Sequence, residues 1–495
     1  MSADTAVMEK IINDEVKFYL DEDNDEIVYV EYKDSKGAYR FERLGSGEYF
    51  LAFLDHRYQE LADDDEEPNF ARLLKRKRKA TIYEQQNLVK INHRVAGSIT
   101  DRRIAYFLAD EKRQTVVITP DKWKECVKTK DKFIKQKADI SQVEPKRGGN
   151  LLTLLRRYIN LNDDDFLLLV IWIVQAFSRK TSHYAAVIPS EMGRGKTTLT
   201  KLLRSLIDPS HSGASLTPSS DTDLKTILAN TFMACFDNTA PLPEQYSNIL
   251  CAAITGTKEA KRKLYSDCDQ IILNLHNLVV LNGVNVVPKK SDLADRSLLF
   301  ELQKIDEEKR MTEEEFWRNF EKDKPAILGA IFDTLQKAMQ ILPTLDIKKL
   351  ARMADAHKDM IAIALALDIP LEEFQRIFHQ NLHAMQMACA GHDEFVDAVV
   401  EYVKQHGTQT GRVSEIYDNM CRDIPDGKVI LTKSDSWFSR KLNDKEDALK
   451  ARGIRVTTPS SKKQDGSYIT IERIPANQLS KEQRAKIKRS ATTVE

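Results

Sequence analysis

Cysteine is scarce and scattered. Cys126, Cys235, Cys251, Cys268, Cys389 and Cys421 form no CxxC pair, which excludes a zinc module and a disulfide framework and fits a reducing, cytoplasmic setting. Glycine and proline are also few, 18 and 15 in 495 residues, too few for a collagen-like or low-complexity chain. No charge sign dominates: 75 basic and 75 acidic residues cancel, so contact with nucleic acid has to come from local patches and not from a global field. Long apolar runs are missing as well. The longest, FLLLVIWIVQAF from Phe166 to Phe177, falls short of the roughly 20 residues a membrane helix needs. It reads as a buried helix capped by Asp163 to Asp165, whose carboxylates suit a helix N-terminus. The opening MSADTAVMEK has no apolar segment of the secretory kind.

What is present divides into several units, since a chain of this length accommodates about three domains. Residues 1–145 mix alternating strand signals, at Ile27–Tyr32, Ala38–Leu44 and Thr115–Ile118, with helical segments, an α+β pattern. Within them an acidic block, Asp63–Glu67, precedes a basic one, Lys75–Lys79; this is either a solvated helix face or a polyanion contact. Pro145 to Gly149 reads as a linker. From 150 to 345 short buried-type strands (Ala185–Pro189, Phe232–Phe236, Leu278–Leu281) alternate with amphipathic segments, the α/β signature of a mostly parallel sheet. Residues 346–405 read as helical. Residues 406–475 follow the layout of a winged helix, with helices at Val413–Cys421 and Ser434–Arg452 and strands at Ile454–Thr457 and Tyr468–Ile471. A basic tail, 476–495, follows.

The chemistry concentrates in SEMGRGKT, Ser190 to Thr197, between a strand and an amphipathic helix. Gly193 and Gly195 let backbone N–H groups face a phosphate, Lys196 reaches the β/γ oxygens and Thr197 can hold Mg²⁺. Ser190 stands where the usual first glycine would be, and Glu191, Arg194 and Thr198 complete the nucleotide loop. A P-loop needs a second carboxylate on the metal side, and Asp237, after the strand FMACF, supplies it. The next residue is Asn238, whose amide orients water but cannot take its proton; Glu191 is a candidate for that part. Asn282, ending the strand LVVL, suits a γ-phosphate sensor, with Asn285 the second choice. Arg296, in DLADRSLL, either reaches a neighbouring subunit's nucleotide or pairs with Asp292 or Asp295.

The order of these motifs, with TG and KRKLYSD (Thr255 to Asp267), LNG, DLADR, an ARMAD helix (Ala351–Asp355) and the winged helix, resembles the AAA+ replicative helicases of phages, phage satellites and integrating elements. These include the staphylococcal cassette helicases and are similar to superfamily-3 and MCM-type enzymes. The resemblance runs from about Gly149 to Pro475. It implies a P-loop AAA+ ATPase that uses ATP and Mg²⁺, assembles as a homo-oligomer, a hexamer in this family, and moves on single-stranded or forked DNA during replication of a mobile element. It also gives the segment from Lys261 to His276 as a β-hairpin before the sensor strand. There Lys261, Arg262 and Lys263 are candidate phosphate contacts, although the expected tip carries Asp267 and Asp269 and no lysine. In the winged helix, Arg440, Lys441, Lys462 and Lys463 are candidate DNA contacts, with a protein contact the alternative. Two other readings stand beside the helicase: an ATP-switched DNA-binding initiator, loader or defence ATPase, which Asn238 favours, and a protein-remodelling ATPase. The histidines His183, His276 and His383 read as ordinary strand and helix residues, with no metal beyond nucleotide-bound Mg²⁺.

Overall fold

The computed structural model describes residues 3–62, 68–179, 181–189, 194–211, 218–237, 244–262, 270–283, 286–305, 311–390, 394–423, 435–457 and 468–475, and the fold is mixed α/β. At the N-terminus, α1 (Ala3–Asp14), β1 (Lys17–Asp21), β2 (Val28–Lys33), β3 (Tyr39–Arg43), α2 (Tyr49–Ala62), α3 (Ala71–Glu84) and β4 (Leu88–Val89) follow one another. The strands form a sheet of order β3-β2-β1-β4. Strand alternation sends Val30 and Tyr32 toward Phe50, Phe53, Leu54 and Tyr58 of α2, and Tyr29 and Phe41 to the opposite face. Helix α3 holds Lys75–Lys79 and buries none of its residues, as a solvated helix does; the acidic block Asp63–Glu67 lies outside the described residues.

After β5 (Ile91–Asn92) an antiparallel meander, β6 (Val95–Ser98), β7 (Arg103–Phe107), β8 (Thr115–Ile118) and β9 (Trp123–Cys126), leads to β10 (Lys132–Phe133), which pairs with β5. Sequence places this meander in an N-terminal unit ending at 145. In the structure Val95, Ile104, Tyr106, Val116, Ile118 and Trp123 share one continuous core with Trp172, Val187 and Leu281. Arg94, 1% exposed, is the polar reason: its Nε donates to Asp208 at 3.0 Å and its Nη2 to the Pro209 carbonyl at 2.9 Å. Breaking such a buried pair strands a charge, so the two segments hold together.

The central unit runs α4 (Leu151–Arg156), α5 (Asp163–Gln175), β11 (Ala185–Pro189), α6 (Lys196–Ile207), α7 (Asp221–Asn230), β12 (Met233–Phe236), α8 (Glu244–Thr255), β13 (Thr257–Arg262), β14 (Gln270–Leu275), β15 (Leu278–Gly283), α9 (Ser291–Ala294) and β16 (Ser297–Leu299). Strands β12, β15, β11 and β16 form, in that order, an all-parallel sheet. Their residues are buried almost throughout, which is why the strands read as unbroken apolar runs. In α5 the buried residues run continuously from Leu168 to Gln175, as expected of a helix packed on all sides. Its cap is Asn162, whose side chain accepts from Asp165 N at 2.9 Å, and Asp163–Asp165 fill the first turn in place of capping it. None of the described helices is long and apolar enough to cross a membrane.

Three helices follow: α10 (Glu313–Ile341), α11 (Ala354–Ala366) and α12 (Leu371–Ala390). They bury Ile331, Met360 and Phe378 in the central core. The segment 145–149, read from sequence as a linker, is instead pinned against α10. Lys146 N donates to the Pro325 carbonyl at 2.8 Å, and a Cβ built on Gly329 would lie 1.8 Å from the Lys146 carbonyl oxygen. Gly329→Ala should therefore destabilise the protein by about 3 kcal/mol, although alanine is the better helix former by about 1 kcal/mol. Thermal denaturation measures the balance, and an unchanged or higher melting temperature would show that the crossing is not tight.

The C-terminal unit begins before the expected boundary of 406, at α13 (Glu394–His406), and continues through β17 (Gln409–Arg412), α14 (Val413–Asp423), α15 (Asp435–Asp444), α16 (Glu446–Ala451), β18 (Ile454–Thr457) and β19 (Tyr468–Arg473). Its sheet has order β17-β19-β18, and its core joins Val399 and Val403 of α13 to Phe438, Leu442, Ile469 and Ile471. The segment read as one helix, 434–452, is two.

Candidate functional site

The parallel register brings the sequence-predicted residues to one edge of the sheet. Ile188 is level with Asn282 and Pro189 with Gly283, while Phe236 is level with Leu281. Asp237, one residue further, therefore stands beside Asn282 at the carboxyl ends of the strands, where open α/β sheets bind ligands. The chain leaves β11 at this edge and returns as α6. Ser190, Glu191 and Gly193 lie outside the described residues, as do Asn238 and Asn285.

Gly195 is the N-cap of α6 and has φ of +86°, with no side-chain cap. That left-handed backbone strains any L side chain, so glycine is required there. The first-turn N–H groups of Lys196, Thr197 and Thr198 have no partner within the helix, and a 12-residue helix adds the positive end of its dipole. Lys196, Thr197, Thr198 and Asp237 are half-buried. Arg194 points another way, donating through Nη1 to the Leu302 carbonyl at 3.2 Å. Helix N-terminus, ammonium, hydroxyl and carboxylate on one sheet edge suit a triphosphate and its divalent cation, to which Thr197 and Asp237 could offer oxygen donors.

Asn282 is fully buried. Its Nδ2 donates to Thr200 Oγ1 at 2.6 Å, and that hydroxyl donates to the Lys196 carbonyl at 3.0 Å. The side chain expected to sense a phosphate is thus tied through Thr200 to the backbone of the first turn of α6. Thr200 is a residue that sequence reasoning missed; its only signal was a third hydroxyl in KTTLT.

Arg296 sits at the start of β16 with its side chain mostly buried, ion-paired to Asp292. Its Nη1 also donates to the Asp292 carbonyl at 2.9 Å and lies 3.7 Å from Cys251 Sγ. The Arg296 hydrogen bond, with help from Arg352, lowers the Asp292 carboxyl to about 2. Arg352, half exposed, spans Asp292 at 2.6 Å and Asp295 at 3.2 Å. In the single chain, then, the pairing alternative for Arg296 is the one formed.

The expected hairpin is present as β13 and β14, antiparallel from Thr257↔Leu275 to Arg262↔Gln270. It starts four residues earlier than sequence placed it, after Gly256 with φ of +82°. The backbones of Lys261 and Arg262 lie in β13; Lys263 and the tip are outside the described residues. The hairpin touches the β1–β2 connection: Lys258 pairs with Asp23, and Asn24 Oδ1 accepts from Ile272 N at 3.0 Å. Of the C-terminal candidates, Arg440 and Lys441 lie in α15 with Lys441 half-buried, and Lys462 and Lys463 fall outside the described residues.

The opposite, amino edge of the sheet holds polar groups that the sequence did not single out. Asp359, 1% exposed, accepts from Thr181 Oγ1 at 3.1 Å and Ser178 Oγ at 3.4 Å, and burial raises its carboxyl to about 7. A carboxyl with a raised folded value gives stability that is complete below the unfolded value near 4 and is lost as pH rises through about 7. Asp359→Asn should therefore raise the melting temperature at pH 8.5, by a stability gain on the order of 2 kcal/mol, and the gain should vanish by pH 4.5. A pH-independent difference would sink this assignment.

Residues 152–369, from α4 to just beyond α11, match the family model of the actinomycete integrative conjugative element replication protein. No curated protein matches the chain. Among solved structures, the apo NrS-1 C-terminal region (305–718) is similar over 96% of this chain and 100% of its own, at 12% identity and a TM-score of 0.41. A JCV helicase with a bound phenoxyphenyl acetamide is similar over 48% of this chain and 66% of its own, at 15% identity and a TM-score of 0.23.

Proposed function

We propose that the chain is an ATP-dependent DNA helicase, a ring-forming P-loop AAA+ motor with a C-terminal winged helix, acting in replication of a mobile element. The observation that carries this reading is the meeting of left-handed Gly195, Lys196, Thr197 and Asp237 at the carboxyl edge of a parallel sheet. The replication-protein match over 152–369 supports the process, and the hairpin β13–β14 is the element that would contact the strand.

In this reading the backbone after Gly195 and the Lys196 ammonium hold the β- and γ-phosphates, and bound Mg²⁺ would neutralise charge as it builds on the transferring group. Thr197 and Asp237 would hold that ion or its water. Asn282, fixed by Thr200, keeps the α6 terminus in register with the neighbouring strands. Asn238 orients water without taking its proton. That residue favours the second reading, an initiator or loader that uses ATP to assemble on DNA without processive unwinding.

Displacement of a labelled strand from forked DNA, with 3′ and 5′ tails tested separately, decides between the two. ATP-dependent displacement is expected, from one tail polarity. Ring formation and ATP binding without displacement would reject the motor and leave the switch.

A further inference from the structure

Arg179 follows α5 at the amino edge of the sheet, six residues before β11 begins. It is 9% exposed, and its guanidinium makes no ion pair among the described residues. Its backbone N donates to the Gly97 carbonyl at 2.9 Å, and its Nη1 reaches only the Val95 carbonyl, at 3.5 Å. Asp359, the buried carboxyl beside Ser178 and Thr181, bonds those two hydroxyls. Arginine stays charged at every working pH, and a buried charge without a counter-ion is costly.

The groups around it do not neutralise it. Burial first, and then the Arg179 charge, hold His93 down to about 4 and His276 to about 4. His183, 2% exposed, falls to about 3 by burial first and then the neighbouring His276. All three rings are thus neutral near pH 7. His276 follows β14 and packs under the hairpin root, within 3.4 Å of a Cβ at Gly256.

Arg179 and His276 line a cleft of about 580 Å³ between the meander, β4–β5 and the hairpin root. Five cations line it: Lys90, Arg103, Lys130, Lys132 and Arg179. Arg103 is paired with Asp131 at 2.5 Å and Lys132 with Glu31. Lys90 and Lys130 are exposed and stand with Arg179 against the one further lining carboxylate, Asp101. The nucleotide loop is at the other end of β11, at least about 13 Å away at 3.3 Å per residue.

We propose that this cleft is a second phosphate site, separate from the nucleotide loop, in which Arg179, Lys90 and Lys130 hold the backbone of a nucleic-acid strand at the root of the hairpin. The charge arrangement alone asks for a phosphate; that a strand carries it rests on the replication reading above. A buried guanidinium offers a phosphodiester a forked donor without loss of side-chain freedom. The two exposed lysines add contacts whose strength falls with salt.

The test is fluorescence anisotropy of a labelled single-stranded oligonucleotide with the full chain, without nucleotide, across a salt series. Lys90→Glu combined with Lys130→Glu, both exposed and safe for folding, should weaken binding about tenfold or more and flatten the log–log salt slope by about 1.4, or 0.7 for each lost contact. Arg179→Met should weaken binding similarly where its melting curve shows a folded chain. Unchanged affinity and slope in the lysine double variant overturn the proposal. If inorganic phosphate raises the melting temperature of Lys196→Ala protein, and the double variant abolishes this without altering oligonucleotide affinity, the ligand is a free phosphate and the strand assignment is overturned. Lys196→Ala should bind the oligonucleotide as wild type does. Absence of ATP turnover and strand displacement in the wild-type chain, with lysine-dependent binding intact, would therefore reject the motor and not this site.

Discussion

Lys196→Ala is expected to lower ATP turnover by about a thousandfold or more while leaving the chain folded. Lys196 is the first residue of α6, directly after the left-handed Gly195, and in the proposed site it is the cation nearest the γ-phosphate. Removing a preorganised donor from developing charge costs on the order of a hundred- to a thousandfold by itself; loss of the ammonium also weakens the ground-state complex. Stability should change little. The helix start depends on Gly195, and the contact from Thr200 goes to the Lys196 carbonyl, not to its side chain. Alanine is the best helix former. Phosphate release, nucleotide binding and thermal denaturation measured on one preparation separate these effects. A folded variant hydrolysing ATP at the wild-type rate would show that the nucleotide is not at this loop.

The features that make this site were readable because each is local. A glycine-rich loop between an apolar strand and an amphipathic helix needs only consecutive residues, and the strands before Asp237 and Asn282 announce themselves as buried runs. What could not be read depends on contacts between distant segments. Arg94 and Asp208 are 114 residues apart, and no periodicity links them, so from sequence the meander reads with the N-terminal segment while its side chains join the central core. Gly329 looks like a weak point in a helix until the Lys146 carbonyl is seen crossing over it. Strand β17, QTGR, has too little apolar content to register and exists because β19 pairs with it. Arg179 is an ordinary basic residue in sequence; its meaning comes from its burial with no ion-pair partner among the described residues.

Arg296→Ala is expected to bind ATP and hydrolyse it about a thousandfold more slowly, the range for an arginine supplied to a transition state by a neighbouring subunit. In the single chain Arg296 is held by Asp292, so acting in trans requires it to exchange that carboxylate for a phosphate. The fold lowers the cost of the exchange. Asp292 already has a second partner in Arg352 at 2.6 Å, so its charge stays compensated when Arg296 leaves. The pair that opens is Arg296–Asp292, with Asp292 about half exposed and Arg296 about 15%, so the exchange costs more than opening a surface pair and the protein–phosphate contact has to replace it. With Arg352 still on Asp292, Arg296→Ala should lose little stability. The decisive measurement is mixing. Arg296→Ala subunits keep an intact nucleotide loop, and Lys196→Ala subunits keep the arginine, so mixed rings should recover part of the ATPase activity that neither variant has alone. With subunit exchange verified by labelling, no recovery would mean that Arg296 serves its own subunit, and that the Asp292 pair is a structural latch on β16 and not a resting position of the catalytic arginine.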